Sequence, residues 1–119
     1  MNAKDALSDL EYVGGAEGLK QTYEVFRGKR HYLVGSMSRA KRRSGNFNLV
    51  DEAAVEATID SFAGSLGITS KDVRQRLQRR GFSIETLEAL NVLYVLVAQG
   101  KAKVDHRRSQ RALYFNLSA

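Results

Sequence analysis

The apolar pattern of this chain changes period at Asp51. Before it, Gln21–Phe26 and His31–Ser36 are rich in Tyr, Val, Phe and Leu and flank Arg27-Gly28-Lys29-Arg30, the composition of two strands around a hairpin turn. Asn46–Val50, after Arg43-Ser44-Gly45, adds a third strand. From Asp51 the recurrence is helical: Val55, Ile59, Phe62 and Leu66 share one face. The chain reads as α+β, with its strands and helices in separate stretches.

With no proline, stops and turns fall to Gly, Asn and Ser, and the ten glycines place most boundaries. Ala3–Val13 reads as a short helix, with Ala6, Leu7, Leu10 and Val13 at helical spacing and Gly14-Gly15 ending it. Asp51 is positioned to cap the next helix, which Gly67 stops. Ser70 caps Lys71–Arg80, where only Val73 and Leu77 point inward, and Gly81 ends it. Ser83 caps a third helix whose core face is Ile84, Leu87, Leu90, Tyr94 and Val97. Val92–Ala98 is apolar throughout and could equally be a buried strand. Helix is preferred because the run continues a helical period into Gln99-Gly100-Lys101, where Gly suits a left-handed cap. Ala102–Asp105 and Ala112–Leu117 form a hairpin around the polar loop His106–Arg111.

At 119 residues the chain is one domain's worth. No run of eighteen apolar residues spans a membrane. The first ten residues lack the basic start and apolar core of a signal peptide. Without cysteine there is no disulfide framework and no thiolate metal site. A cytoplasmic protein fits, with no membrane partner.

Charge is blocked rather than spread. Met1–Phe26 is −3, Arg27–Arg43 is +7, Ser44–Ser70 is −4, Lys71–Arg80 is +4, Gly81–Gly100 is −2 and Lys101–Arg111 is +4, within a net charge of +6. If folding brings the basic blocks to one face, that face has the footprint of a polyanion binder.

Helix, connector, helix, short turn, helix, then a hairpin with a basic loop: from about Asp51 to Leu117 the chain resembles a winged helix-turn-helix domain. The resemblance rests on Ile68–Leu77 for the second helix, and on Leu90–Lys101, with its phrase Leu-Val-Ala-Gln-Gly-Lys, for the third helix and entry to the wing. It implies a winged-helix domain over residues 51–119, preceded over residues 1–50 by an N-terminal helix and small antiparallel β-meander. It further implies that the helix starting at Ser83 enters a major groove, with Ser83 and Thr86 nearest the bases. Lys71, Arg74, Arg76, Arg79 and Arg80 would meet phosphates, and Lys103, Arg107, Arg108 and Arg111 on the wing would reach the adjacent backbone. Arg39, Lys41, Arg42 and Arg43 read as a loop able to track a phosphate backbone or enter a minor groove. Glu85 and Glu88 depart from this pattern, because carboxylates repel phosphates.

The expectation is therefore a non-enzymatic, cytoplasmic DNA-binding protein, a small regulator of transcription or an accessory protein of phage or mobile-element type. It needs no cofactor and no metal, its partner is duplex DNA, and a homodimer or protein partner is open to it. Two other readings compete. A small basic metal-independent ribonuclease would use His31, Arg30, Tyr32, His106 and Arg107. A protein-interaction module would use Glu85 and Glu88 against a basic partner. His31 and His106 each lie amid Arg, which opposes a bound cation. Tyr12, Tyr23, Tyr32 and Phe26 could stack on bases, although aromatics in such strands are more often core.

Overall fold

The computed structural model describes residues 10–19, 21–38, 45–107 and 112–119. Four strands come first: β1 (Glu11–Glu17), β2 (Gln21–Arg27), β3 (His31–Ser38) and β4 (Gly45–Asp51). Three helices follow: α1 (Glu52–Phe62), α2 (Ser70–Arg79) and α3 (Thr86–Ala98). A two-stranded ribbon of β5 (Ala102–Val104) and β6 (Phe115–Leu117) closes the described chain. This corrects the expected architecture of an N-terminal helix and small meander leading a winged-helix unit. The strands precede the helices as one four-stranded antiparallel sheet in the order β1-β2-β3-β4, and this is the larger of the two sheets.

The expected helix Ala3–Val13 fails where it can be seen, because Glu11–Val13 belong to β1. The glycines taken for its stop lie within that strand, just past a bulge between Tyr12 and Gly14. Gly14 is there because β1 passes close over the end of α3: a Cβ on it would stand 2.7 Å from the carbonyl oxygen of Ala98. A glycine serving close approach thus imitated a glycine serving as a helix stop.

Strand alternation divides the sheet into two faces. Val25, Tyr32, Val34 and Val50 point inward and are buried with the helices in one apolar cluster. Tyr23 stacks on Tyr94 of α3 from the same side. The opposite face carries Tyr12, Phe26, Leu33, Leu49 and Phe47.

Asp51 caps α1 as expected, its Oδ1 accepting from the Ala53 N–H at 3.0 Å. The helix nevertheless stops at Phe62, not Gly67, and Leu66 is left 75% exposed instead of in the core. The reason is tertiary. Residues 64–68 unwind to pair with the last strand: the Gly64 N–H donates to the Ser118 carbonyl, the Leu117 N–H to Ser65, and Ile68 and Phe115 exchange both bonds. That pairing satisfies more backbone than one further helical turn would.

In α2 the cap is Thr69 rather than Ser70. Thr69 Oγ1 accepts from the Asp72 N–H while Asp72 Oδ2 accepts from the Thr69 N–H, a reciprocal capping box. The helix ends at Gly81, φ +93°, with the Phe82 N–H returning to the Leu77 carbonyl. Gly100, φ +75°, closes α3 in the same way, with Lys101 N–H bonded to Leu96.

Helix α3 differs from expectation at its start and in its faces. Ser83 does not cap it; the cap position is Glu85, which makes no side-chain capping bond. Residues 82–85 stay outside the helix instead, pinned by buried Ile84, whose carbonyl accepts from Gln78 Nε2. Leu87, expected in the core, is 62% exposed. Residues 91–96 are buried at every position, so the middle of the helix is covered all round. It packs against the sheet, α1, α2 and β5, so the strands before residue 51 and the helices after it share one apolar cluster.

Candidate polyanion-binding surface

Val73 and Leu77 are fully buried and fix the rotation of α2. Helical geometry then aims Lys71, Gln75 and Arg79 outward. Lys71, Arg76, Arg79 and Arg80 are exposed and Arg74 is half-buried. They are not equivalent. The Arg80 guanidinium reaches back to α1, donating from Nη1 to the Ala57 carbonyl at 3.0 Å and to Ser61 Oγ at 3.2 Å. The Arg76 guanidinium lies over the Phe62 ring, 5.6 Å from its centroid. Arg76 and Arg79 also complement the C-terminal end of the helix dipole. The Nε of Arg74 is enclosed and without a partner among the described residues. Lys71 and Arg79 make no such contact with their neighbours.

None of these cations pairs with a carboxylate among the described residues. Among the described residues one ion pair forms, Arg27 Nη2 to Glu52 Oε2 at 3.5 Å, and it does not involve α2. The sole acid of the helix, Asp72, is held by the capping box.

The ribbon brings a second set. Lys101, Lys103, His106 and Arg107 are exposed. The Asp105 N–H donates to the Tyr114 carbonyl, and Asp105 Oδ1 accepts from the Arg107 N–H, so the loop opens at Asp105 with a local turn. Its returning limb, Ala112 and Leu113, lines one groove of about 390 Å3 with Thr69 and Ser70. Ala112 and Leu113 therefore lie beside the start of α2. Arg76 and Arg80 turn away toward α1. Arg39, Lys41, Arg42, Arg43, Arg108 and Arg111 lie outside the described residues.

Ser83 and Thr86 are exposed at the other end of the helical layer, among acids. Burial raises the Glu88 carboxyl above its ordinary range, and the negative charges of Asp51 and Glu85 raise it further. The middle of α3, residues 91–96, is covered by the rest of the fold, and its first turn is acidic. That negative charge opposes approach of a phosphate backbone to Ser83 and Thr86.

The ribonuclease set is not gathered. His31 packs its ring on Gly28, beyond the Arg27 end of β2. His106 lines a different groove with Thr22, Tyr23 and Glu24. Four residues of strand, roughly 13 Å, separate Glu24 from Gly28. Tyr32 is buried, its hydroxyl accepting from Gln99 Nε2. Burial and a hydrogen bond with Tyr23 push the Tyr94 phenol far up, which removes it from acid–base work. No group of three His, Asp or Glu able to hold a metal ion occurs among the described residues, nor is any helix there long and apolar enough to cross a membrane.

The outer face of the sheet was missed by reading strand aromatics as core. Its signal was present in the alternation of β2 to β4, where a second apolar set interleaves with the buried one. No family model, no curated protein and no solved structure matches this chain.

Proposed function

We propose that the protein binds nucleic acid without acting on it, holding the phosphate backbone of duplex DNA through α2 and the ribbon loop, as a small cytoplasmic regulator or accessory protein of phage or mobile-element type. The observation that carries this reading is that α2 and the Arg80 that ends it carry five basic side chains, none paired with a carboxylate among the described residues. Lys71 and Arg79 stand eight residues apart, about 12 Å along the axis, which matches a major groove about 12 Å wide. The limb that returns from the loop passes Thr69 and Ser70, next to Lys71 in the chain, and on this reading helix and loop meet phosphates of the same duplex. Arg76 and Arg80 serve α2's packing on α1. Ser83 and Thr86 are left out of the interface.

Binding of this kind is driven by counterion release and is largely indifferent to sequence. Lys71, Arg74, Arg79, Lys103 and Arg107 would neutralise about five phosphates, giving a log–log salt slope near −4.5 on duplex DNA. A fluorescence titration of a labelled duplex at graded salt tests it, with single-stranded DNA, RNA and heparin alongside. Preference for duplex DNA with that slope supports the reading. Absence of binding, or equal binding to heparin, defeats it, and turnover of RNA in the presence of chelator would favour the enzyme instead.

A further inference from the structure

The face of the four-stranded sheet turned away from the helices carries a continuous apolar row. Tyr12, Phe26, Leu33 and Leu49 stand directly opposite one another across all four strands. The neighbouring row runs Gly15, Glu24, Gly35, Phe47. Tyr12 and Phe26 meet edge to face at 5.5 Å. The Phe47 ring lies on Gly35, close enough that a Cβ there would be 3.0 Å from it. Tyr12 is 61%, Leu49 55% and Phe47 70% exposed, flanking half-buried Phe26 and buried Leu33, and the helices described all lie on the other side. Exposed apolar surface of this kind marks an interaction site.

We propose that this face is the interface between two copies of the chain, stacked sheet on sheet. Two observations choose a second copy. The first is fit. A two-fold axis along the strand direction lays β4 of one copy over β1 of the other. Leu49 then stands above Tyr12 and Phe26 above Leu33, so the apolar row meets itself along its whole length. The row is thus self-complementary, as an isologous contact requires. The same operation sets Glu24 over β3, where the Phe47 ring covers Gly35, and not over the partner's Glu24, so these carboxylates do not oppose each other. The second is size. Four strands about 4.8 Å apart and seven residues long at about 3.4 Å each give a footprint of roughly 450 Å2 per copy. Two such faces make about 900 Å2 of flat footprint, and their side-chain corrugation raises the accessible area toward the roughly 1,000–1,200 Å2 at which specific dimers begin. A nucleic acid is the poorer occupant, because Glu17 and Glu24 line this side and the unpaired cations of α2 do not. The inference is independent of the nucleic-acid reading, since it uses none of the same residues.

The full chain is weighed by light scattering and sedimentation over a concentration series, alone and as the double variant Phe47→Lys with Leu49→Lys. The wild type has twice the 13.3 kDa chain mass. The double variant weakens the dimer by at least about 100-fold, since it puts charge at the centre of the contact. Gly15→Leu, which adds bulk to the same face at a position where an added Cβ meets only ordinary contacts, holds the two sheets apart, weakens the dimer as well and guards against a misfolded double variant. The far-ultraviolet spectrum of both variants stays that of the wild type. A wild type of single-chain mass throughout overturns the proposal, as does a dimer indifferent to both variants. It is equally overturned if removal of residues 1–9 turns a single-chain species into a dimer, which would mean the chain covers its own face. Single-stranded oligonucleotide binding that is lost in Phe47→Ala, with the mass unchanged at one chain, assigns the face to stacked bases and overturns it too.

Discussion

Gly14 backs directly onto the carbonyl of Ala98, leaving no room for even a methyl group between β1 and the last turn of α3. The contact fixes how near the sheet comes to the helical layer. Gly14→Ala must push two backbones apart at a point where neither is a pliable side chain. Such overpacking costs about 1–3 kcal/mol. A thermal melt followed by circular dichroism is expected to fall by several degrees, with ribbon signals in NMR disturbed less than those of β1.

Leu93 is fully buried in the stretch of α3 covered on all sides. Leu93→Ala is expected to cost about 2–5 kcal/mol, a large share of a total of about 5–15 kcal/mol. Because α3 supports both sheets, the loss is expected as one cooperative transition. Urea denaturation followed at a β2 probe and at a ribbon probe would show coincident midpoints. Separate midpoints would mean that the sheet and the ribbon do not share one core.

Arg79 and Arg80 are adjacent in sequence and differ in use. Arg80→Ala removes two hydrogen bonds to α1 and is expected to lower stability by about 1 kcal/mol. Arg79→Ala breaks no contact in the fold and is expected to leave the melting temperature within a degree or two while flattening the salt slope of duplex binding by about one. Paired melts and titrations separate the two. The assignment of roles fails if Arg79→Ala is the variant that unfolds.

Glu88 is an acid whose folded pKa lies above its unfolded value, because burial and the charges of Asp51 and Glu85 disfavour the carboxylate. The folded state therefore holds this proton more tightly than the unfolded one. Its contribution to stability falls as pH rises from the ordinary value of 4.5 through the raised one. Glu88→Gln removes the penalty. The variant is expected to be more stable than wild type at pH 7, with the difference closing below about pH 4. Equal stability at both pH values would show that Glu88 is not under this strain.

Local signals in the sequence located much of the secondary structure, because each depends on a few neighbouring residues. Asp51 before a helical run is a cap whatever lies elsewhere, and Gly81 and Gly100 end helices through their own φ. The failures came where a distant segment decided. Leu66 fits the helical period of α1, yet residues 64–68 leave the helix for a strand that lies some fifty residues on. Gly14 reads as a stop only when the approach of Ala98 is unknown. For the surface, charge blocks pointed to α2 but could not divide its cations. Arg80 and Arg79 differ only because Ala57 and Ser61 happen to lie within reach of one. The outer row Tyr12, Phe26, Leu33 and Leu49 needed strand register, which no single strand contains.

Ile68 and Phe115 bind each other's backbone, and the core beneath them is closed by Phe115 and Leu117. During synthesis they leave the ribosome after every helix they cover. Until they do, the apolar helix of residues 86–98 lacks one of its covers, so the nascent chain is most aggregation-prone in that interval. A chain cut short before Phe115 would be left in that state.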